Sequence, residues 1–189
     1  DETVYSVDYG SVNITYQNPQ SGNSEPTVNV DRGFRGRNTT IQTASANVTN
    51  VSNIADYSLN YTYNSTTPNS SLGTLNQSTT GNDTAIQYIN ASTDASSQNF
   101  TGSTLQIEVA KATLGNQNTS KENLTIYHES GSGYNALSTE FLFETAQGYV
   151  YEVNVSSYSV FAVGVPASEG GDDDSDDSDD SDDSDDSGD

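Results

Sequence analysis

The chain has 189 residues, only 31% of them hydrophobic, with no Cys, Met or Trp and a formal net charge of −22. Without Cys no disulfide staples the fold and no thiolate serves catalysis or metal binding, so stability must come from a core of one-domain size. Only Arg32, Arg35, Arg37, Lys111 and Lys121 oppose 27 acids, so phosphate backbones are repelled and nucleic acid is not an expected partner.

In chain order the recurring signal is period two. The N-terminal stretch Thr3 to Tyr9 reads as a strand. Ser11 to Gln17 alternates Val12, Ile14 and Tyr16 with Asn13, Thr15 and Gln17. Tyr57 to Asn64 alternates Tyr57, Leu59, Tyr61 and Tyr63 with Ser58, Asn60, Thr62 and Asn64. Such segments are strands with one face inward and one face wet. Further strands are expected near Thr27 to Val30, Thr39 to Val48, Ala85 to Ala91, Thr104 to Ala110, Leu124 to His128, Glu140 to Thr145, Tyr149 to Val155 and Tyr158 to Val165. One helical turn is expected at Lys111 to Leu114, and Gly, Asn, Pro and Ser punctuate the rest. This predicts an all-β, β-sandwich-like domain of short antiparallel strands over 1–166. Its buried set is Tyr57, Leu59, Tyr61, Tyr63, Leu105, Ile107, Val109, Ile126, Phe161 and Val163.

The remaining residues, 167–189, are a different object. From Glu169 to Asp189 there are twelve Asp and one Glu with no cation, leaving the body at −9. The run Asp172 to Asp189 repeats Asp-Asp-Ser without an apolar side chain, so it cannot bury enough surface to offset ordering entropy and reads as a disordered tether. Fully extended, it reaches roughly 60 Å. Ordered calcium loops need a turn Gly and placed carbonyls, which this repeat lacks, so diffuse cation condensation is the expectation. Acidity with almost no Lys fits a salt-loving organism, in whose medium screening shrinks to about 3 Å at 1 M; an ordinary acidic secreted protein is the competing reading.

Fourteen N-x-[ST] sequons stand at Asn13, Asn38, Asn47, Asn50, Asn60, Asn64, Asn69, Asn76, Asn82, Asn90, Asn99, Asn118, Asn123 and Asn154. With twenty Asn in the chain, chance gives about five such motifs, so the excess reads as a surface meant to carry N-linked glycan. An Asn/Ser/Thr-rich loop protein that merely collects sequons is the bland alternative. Asn13, Asn60, Asn64, Asn76, Asn82 and Asn118 are the positions expected to be occupied, because they lie on polar strand faces or in Ser/Thr/Gly loops. Glycan acceptors require export. The first ten residues hold no leader pattern and no window approaches eighteen apolar residues. A signal peptide removed before Asp1 and a membrane anchor beyond Asp189 are therefore expected, the acidic run serving as linker between domain and membrane.

The stretch Glu122 to Gly164, ENLTIYHESGSGYNALSTEFLFETAQGYVYEVNVSSYSVFAVG, resembles the PGF-pre-PGF domain of archaeal surface proteins. That pattern runs from a strand ending in LYRYH through a turn, an aromatic and L-x-T to Y-x-Y-E-A and a closing GFSVFAVG. Leu124 to His128, Tyr134, Leu137, Thr139, Tyr149 to Val153 and Tyr158 to Gly164 occupy those places. Upstream, Gln87 to Ala95 followed by Thr104 to Leu114 matches the spacing of the family's preceding strand pair and helical turn. Two positions depart: Tyr134 stands where Trp is common, and Ser157 where Gly precedes the closing motif. The resemblance covers about forty-five residues. It implies a haloarchaeal or methanogen cell-surface protein with an acidic linker, and an extracellular location among cell-envelope or S-layer components. It supplies no catalytic residue and no cofactor.

The residues alone favour no enzyme. His128 ends a strand beside Glu129, no G-x-S-x-G elbow accompanies it, and the body's acids are scattered singly, with no metal set. A carboxylate pair brought together in space is the open enzymatic alternative. Arg32, Arg35 and Arg37, in DRGFRGR, form the one basic cluster. Flanking glycines make it a loop that either binds carboxylates or sulfated sugars or pairs with Asp31 and its neighbours. The expected role is therefore structural, in the envelope. The alternatives are an adhesin or glycan- or protein-binding module contacting through the Asp31 to Arg37 loop, and a filament subunit that donates its N-terminal strand.

Overall fold

The computed structural model describes residues 2–7, 10–17, 27–30, 33–49, 56–66, 75, 83–131 and 133–166. The Asp/Ser run, Asp31, Arg32 and the sequons at Asn50, Asn69, Asn76 and Asn82 lie outside the described residues. The strands are β1 (Glu2–Val7), β2 (Ser11–Gln17), β3 (Val28–Asn29), β4 (Thr39–Val48), β5 (Asp56–Asn64), β6 (Asp83–Thr93) and β7 (Phe100–Ala110). A short helix α1 (Lys111–Asn116) and a 3-10 turn (Lys121–Asn123) follow. Then come β8 (Thr125–Glu129), β9 (Tyr134–Ala136), β10 (Glu140–Glu144), β11 (Gly148–Val155) and β12 (Val160–Pro166). They form two packed antiparallel sheets, one in the order β1-β2-β5-β6-β12-β8-β9 and one in the order β10-β11-β7-β4-β3. The chain is an all-β sandwich.

Alternation builds this architecture. Along β2, Val12, Ile14 and Tyr16 are buried between half-exposed neighbours, and along β5, Tyr57, Leu59, Tyr61 and Tyr63 point inward. Opposite them the five-stranded sheet contributes Ile41, Ala44, Val48, Leu105, Ile107, Val109, Tyr151 and Val153 to the same core. All ten residues expected in the core from sequence are buried. Tyr16 and Tyr57, paired across β2 and β5, stack with ring centroids 4.9 Å apart; such aromatic pairs add stabilisation beyond area burial.

Three features depart from the sequence reading. β12 starts at Val160 rather than Tyr158 and, unlike β2 and β5, is covered on both faces: Phe161, Val163 and Val165 enter the main core while Val160 and Ala162 join Leu75, Tyr88, Tyr127 and Tyr134 in a second apolar cluster on the other face of the same sheet. That is why Val160 to Val165 is a continuous apolar run. Gly164 belongs to this layer, and a Cβ there would lie 2.7 Å from Leu75 Cδ2 and 2.8 Å from Tyr127 Cε2. β7 begins at Phe100 and runs through Gly102, where a Cβ would meet Val155 O at 2.6 Å; this glycine permits close backbone approach rather than breaking the strand. β9 was not expected, being a three-residue edge strand in which only Tyr134 is buried. The N-terminal strand pairs in-chain with β2 from Glu2↔Gln17 to Val7↔Val12, so β1 fills the edge of its own sheet.

Candidate glycan-acceptor surface

Within a strand the sequon matches the pleat. Its Asn and hydroxyl residue share one face and its middle residue takes the other. In β2, Asn13 and Thr15 point outward while Ile14 is 0% exposed. The middle residues Val48, Tyr61, Ala91 and Val155 are likewise buried behind Asn47, Asn60, Asn90 and Asn154, and Phe100 and Leu124 are buried after Asn99 and Asn123, which stand just before their strands. None of the ten described sequon asparagines is buried: Asn38, Asn47, Asn90, Asn118, Asn123 and Asn154 are exposed, and Asn13, Asn60, Asn64 and Asn99 are half-buried. The same alternation that makes the core therefore turns the sequon asparagines away from it.

These asparagines fall into two fields and a set of connectors. On the outer face of the seven-stranded sheet, the rows Asn13–Asn60–Ser92 and Ser11–Thr62–Asn90 run across β2, β5 and β6. Asn64 ends β5, its Nδ2 donating to Thr62 O at 3.2 Å. On the other sheet Asn47 and Asn154 stand out from β4 and β11, with Thr104 Oγ1 donating to Asn154 Oδ1 at 2.6 Å. Asn99, Asn118 and Asn123 sit in connections. Asn118 follows α1 with φ 49, a left-handed turn conformation that Asn tolerates. Between the two fields lies a groove of about 320 Å³, walled by Ser92, Ser97, Ser156 and Ser157 with Phe100 and Tyr158 beneath. The sequons of Asn90, Asn99 and Asn154 each contribute a residue to it.

Asn38 differs from the rest. Its Nδ2 donates to Ile86 O at 2.7 Å, its Oδ1 accepts from Thr113 Oγ1 at 3.1 Å, and its backbone N–H donates to Gln87 Oε1 at 3.1 Å. Although exposed by area, this side chain ties the entrance of β4 to β6 and α1. Sequence gives no hint of it.

The loop carrying the basic cluster is built around Arg37. Its guanidinium lies 4.3 Å over the Tyr63 ring, Nη2 donates to Gly33 O at 2.8 Å and to Thr40 Oγ1 at 3.2 Å, and Nε donates to Thr39 O at 3.3 Å. The planar fork holds the loop onto β4 and β5. Arg35 is exposed on a turn with φ 45, between Gly33 and Gly36, which also have positive φ. Lys111 bridges to Glu144 and reaches the Tyr149 ring, while Lys121 sits 4.6 Å over exposed Phe141. The Lys111 contact holds the Glu144 carboxyl below its ordinary range.

These four described cations share one end of the sandwich, where β4 starts, β7 stops and β12 reaches Pro166 opposite Asp83. Scattered in sequence, they are gathered by topology.

His128 stacks on Phe161 with centroids 4.8 Å apart, and its Nε2 lies 2.8 Å from Ser159 Oγ, which also reaches Glu129 O at 3.0 Å. Burial lowers its pKa. The contact joins the end of β8 to the residue before β12. Among the described residues no three His, Asp or Glu side chains converge as metal ligands would. No family model and no curated protein matches this chain.

Proposed function

We propose that this chain is an exported, N-glycosylated cell-surface protein with a structural role in a haloarchaeal envelope, its sandwich held on an acidic spacer. The observation that carries the reading is the match of sequon to strand: an outward Asn and hydroxyl around a buried middle residue, repeated on both sheets. A sandwich that uses one residue pattern both to pack its core and to display acceptors is suited to a hydrated, sugar-covered layer. Three further observations point the same way. The net charge of −22 with five cations suits concentrated salt. The stretch Glu122 to Gly164, which spans β8 to β12, resembles the PGF-pre-PGF domain of archaeal surface proteins. The Asp/Ser run has the composition of a spacer.

Contact with another molecule through the Asp31 to Arg37 loop is the weaker reading, because Arg37 is spent on Tyr63, Gly33, Thr39 and Thr40. The test is glycopeptide mass spectrometry on the protein from its native host together with fractionation of the envelope. Glycan on several sequons of envelope-bound protein is the expected result. Unmodified asparagine throughout, or recovery in the cytoplasm, ends the reading.

A further inference from the structure

We propose that Asn13 and Asn60 are a single glycan acceptor site rather than two, with Asn60 as the carrier and Asn13 as its support. The inference rests on the glycoprotein reading above and deepens it. The two residues are direct partners in the β2–β5 register. In such pairs the Cβ atoms stand about 4.5–5.5 Å apart on one face. Asn13 Nδ2 donates to Asn60 Oδ1, and Thr15 Oγ1 donates to Asn13 Oδ1 at 3.1 Å. Thr15 also meets Ser58 Oγ at 3.0 Å, and the Asp94 carboxylate accepts from Ser58 N at 2.6 Å. The Asn13 amide is thus engaged at both atoms, whereas among the described residues Asn60 is engaged through its oxygen. The nitrogen that would bond to sugar is the Asn60 atom to which no described residue bonds. Across its other flank stands Ser92, small and exposed, which leaves room above β6.

Sterics make the pair exclusive. Neighbouring strands are about 4.8 Å apart, and a pyranose ring with its hydroxyl groups is broader than that spacing, so a sugar on Asn60 overlies Asn13. Chemistry selects the carrier. Transfer joins Asn60 Nδ2 to the anomeric carbon of a glycosyl phosphate donor; the nitrogen gives up one proton, and the phosphate leaves with the bonding pair of the broken C–O bond. The secondary amide keeps its carbonyl, so Asn13 continues to donate to Asn60 Oδ1. Modification of Asn13 instead would place the sugar on the nitrogen that bridges the two residues.

Intact-mass and glycopeptide spectrometry on the native-host protein, wild type and T62A, tests this. Thr62 is exposed, and its replacement removes the Asn60 sequon while leaving the Asn60 side chain in place. Wild-type molecules should carry glycan on Asn60 and not on Asn13, and T62A should move glycan onto Asn13. Molecules modified at both positions, glycan on Asn13 alone in the wild type, or Asn13 occupancy indifferent to T62A would overturn the proposal. The wild-type distribution decides the matter if T62A is poorly produced. Glycan elsewhere with none at this pair overturns the paired site alone, whereas glycan nowhere overturns the glycoprotein reading itself.

Discussion

The phenol of Tyr61, from β5 in one sheet, meets the phenol of Tyr158, from the turn before β12, hydroxyl to hydroxyl inside the sandwich. Tyr158 donates onward to Ser103 Oγ at 2.8 Å, and Ser103 donates to Ser45 O in the other sheet. Each hydroxyl gives one hydrogen bond and the chain ends on a carbonyl. A directed polar thread therefore crosses the interior from one sheet to the other.

Breaking the thread at different points should cost different amounts. Y61F removes the first donor and leaves Tyr158 still bonded to Ser103, a loss of about 1 kcal/mol. S103A removes the acceptor of the Tyr158 hydroxyl and the donor to Ser45 O, and should cost about 1–3 kcal/mol. At roughly 2–4 °C per kcal/mol for a chain of this size, thermal melts in high salt resolve the two. Equal losses would mean that Tyr158 finds another acceptor.

The same thread predicts an alkaline limit. Burial raises Tyr61 well above the ordinary tyrosine value and pushes Tyr158 up to about 12. Both are neutral in the fold, while in the unfolded chain they ionise near pH 10. The unfolded state therefore loses protons first as pH rises. Stability from this source is complete below pH 10 and declines from there towards 12. Melting temperature against pH should fall over that window, and Y158F should flatten the decline. A flat wild-type profile to pH 12 would contradict it.

How much was legible in advance depended on whether a partner was local. β5 could be read from Tyr57 to Asn64 because alternation is a property of the segment itself. The outward set of its sequons followed. β9 could not be read, since three residues after a Ser-Gly stretch contain no period. The opposition of Asn13 and Asn60 was invisible because cross-strand register, 47 residues apart, is fixed by packing and turns. Arg37 could be read either as a binding group or as a charge pairing with Asp31 and its neighbours, because its partners Tyr63, Gly33 O and Thr40 meet it only in the fold. Asn38 looked like any other sequon until Ile86 O and Thr113 Oγ1 took both ends of its amide.

For Arg37 the expected variant is R37K. Lysine keeps a charge near the Tyr63 ring but cannot reach Gly33 O, Thr40 Oγ1 and Thr39 O together. A loss of about 1–2 kcal/mol is expected, on the scale of one or two hydrogen bonds. Denaturant midpoints measure it, and an unchanged midpoint would return Arg37 to the pool of contact residues.

The second apolar layer makes a sharper claim. Leu75 is 0% exposed and its backbone N–H donates to Tyr88 OH at 3.2 Å. L75A should therefore cost about 2–5 kcal/mol, as a core truncation does. G164A should cost about 1–3 kcal/mol by crowding Leu75 and Tyr127. In the double variant the crowding against Leu75 is relieved while that against Tyr127 remains, so the losses should be less than additive. Strict additivity would separate Leu75 from Gly164.

The acidic run follows β12 in the chain. A sequence of Asp and Ser without apolar side chains adds nothing to a hydrophobic core, so truncation after Pro166 should leave the melting temperature at high salt unchanged. The rival outcome has a definite place in the fold. β12 reaches Pro166 at the end of the sandwich that also holds Arg35, Arg37, Lys111 and Lys121, so a run carrying thirteen acids leaves from beside the described cations. Attraction there would be screened within about 3 Å at 1 M salt but would extend to about 30 Å at 0.01 M. Melts of the full and truncated chains across that range separate the cases. A truncated chain less stable at low salt alone would mark electrostatic docking, and one that melts many degrees lower at high salt as well would overturn the spacer reading.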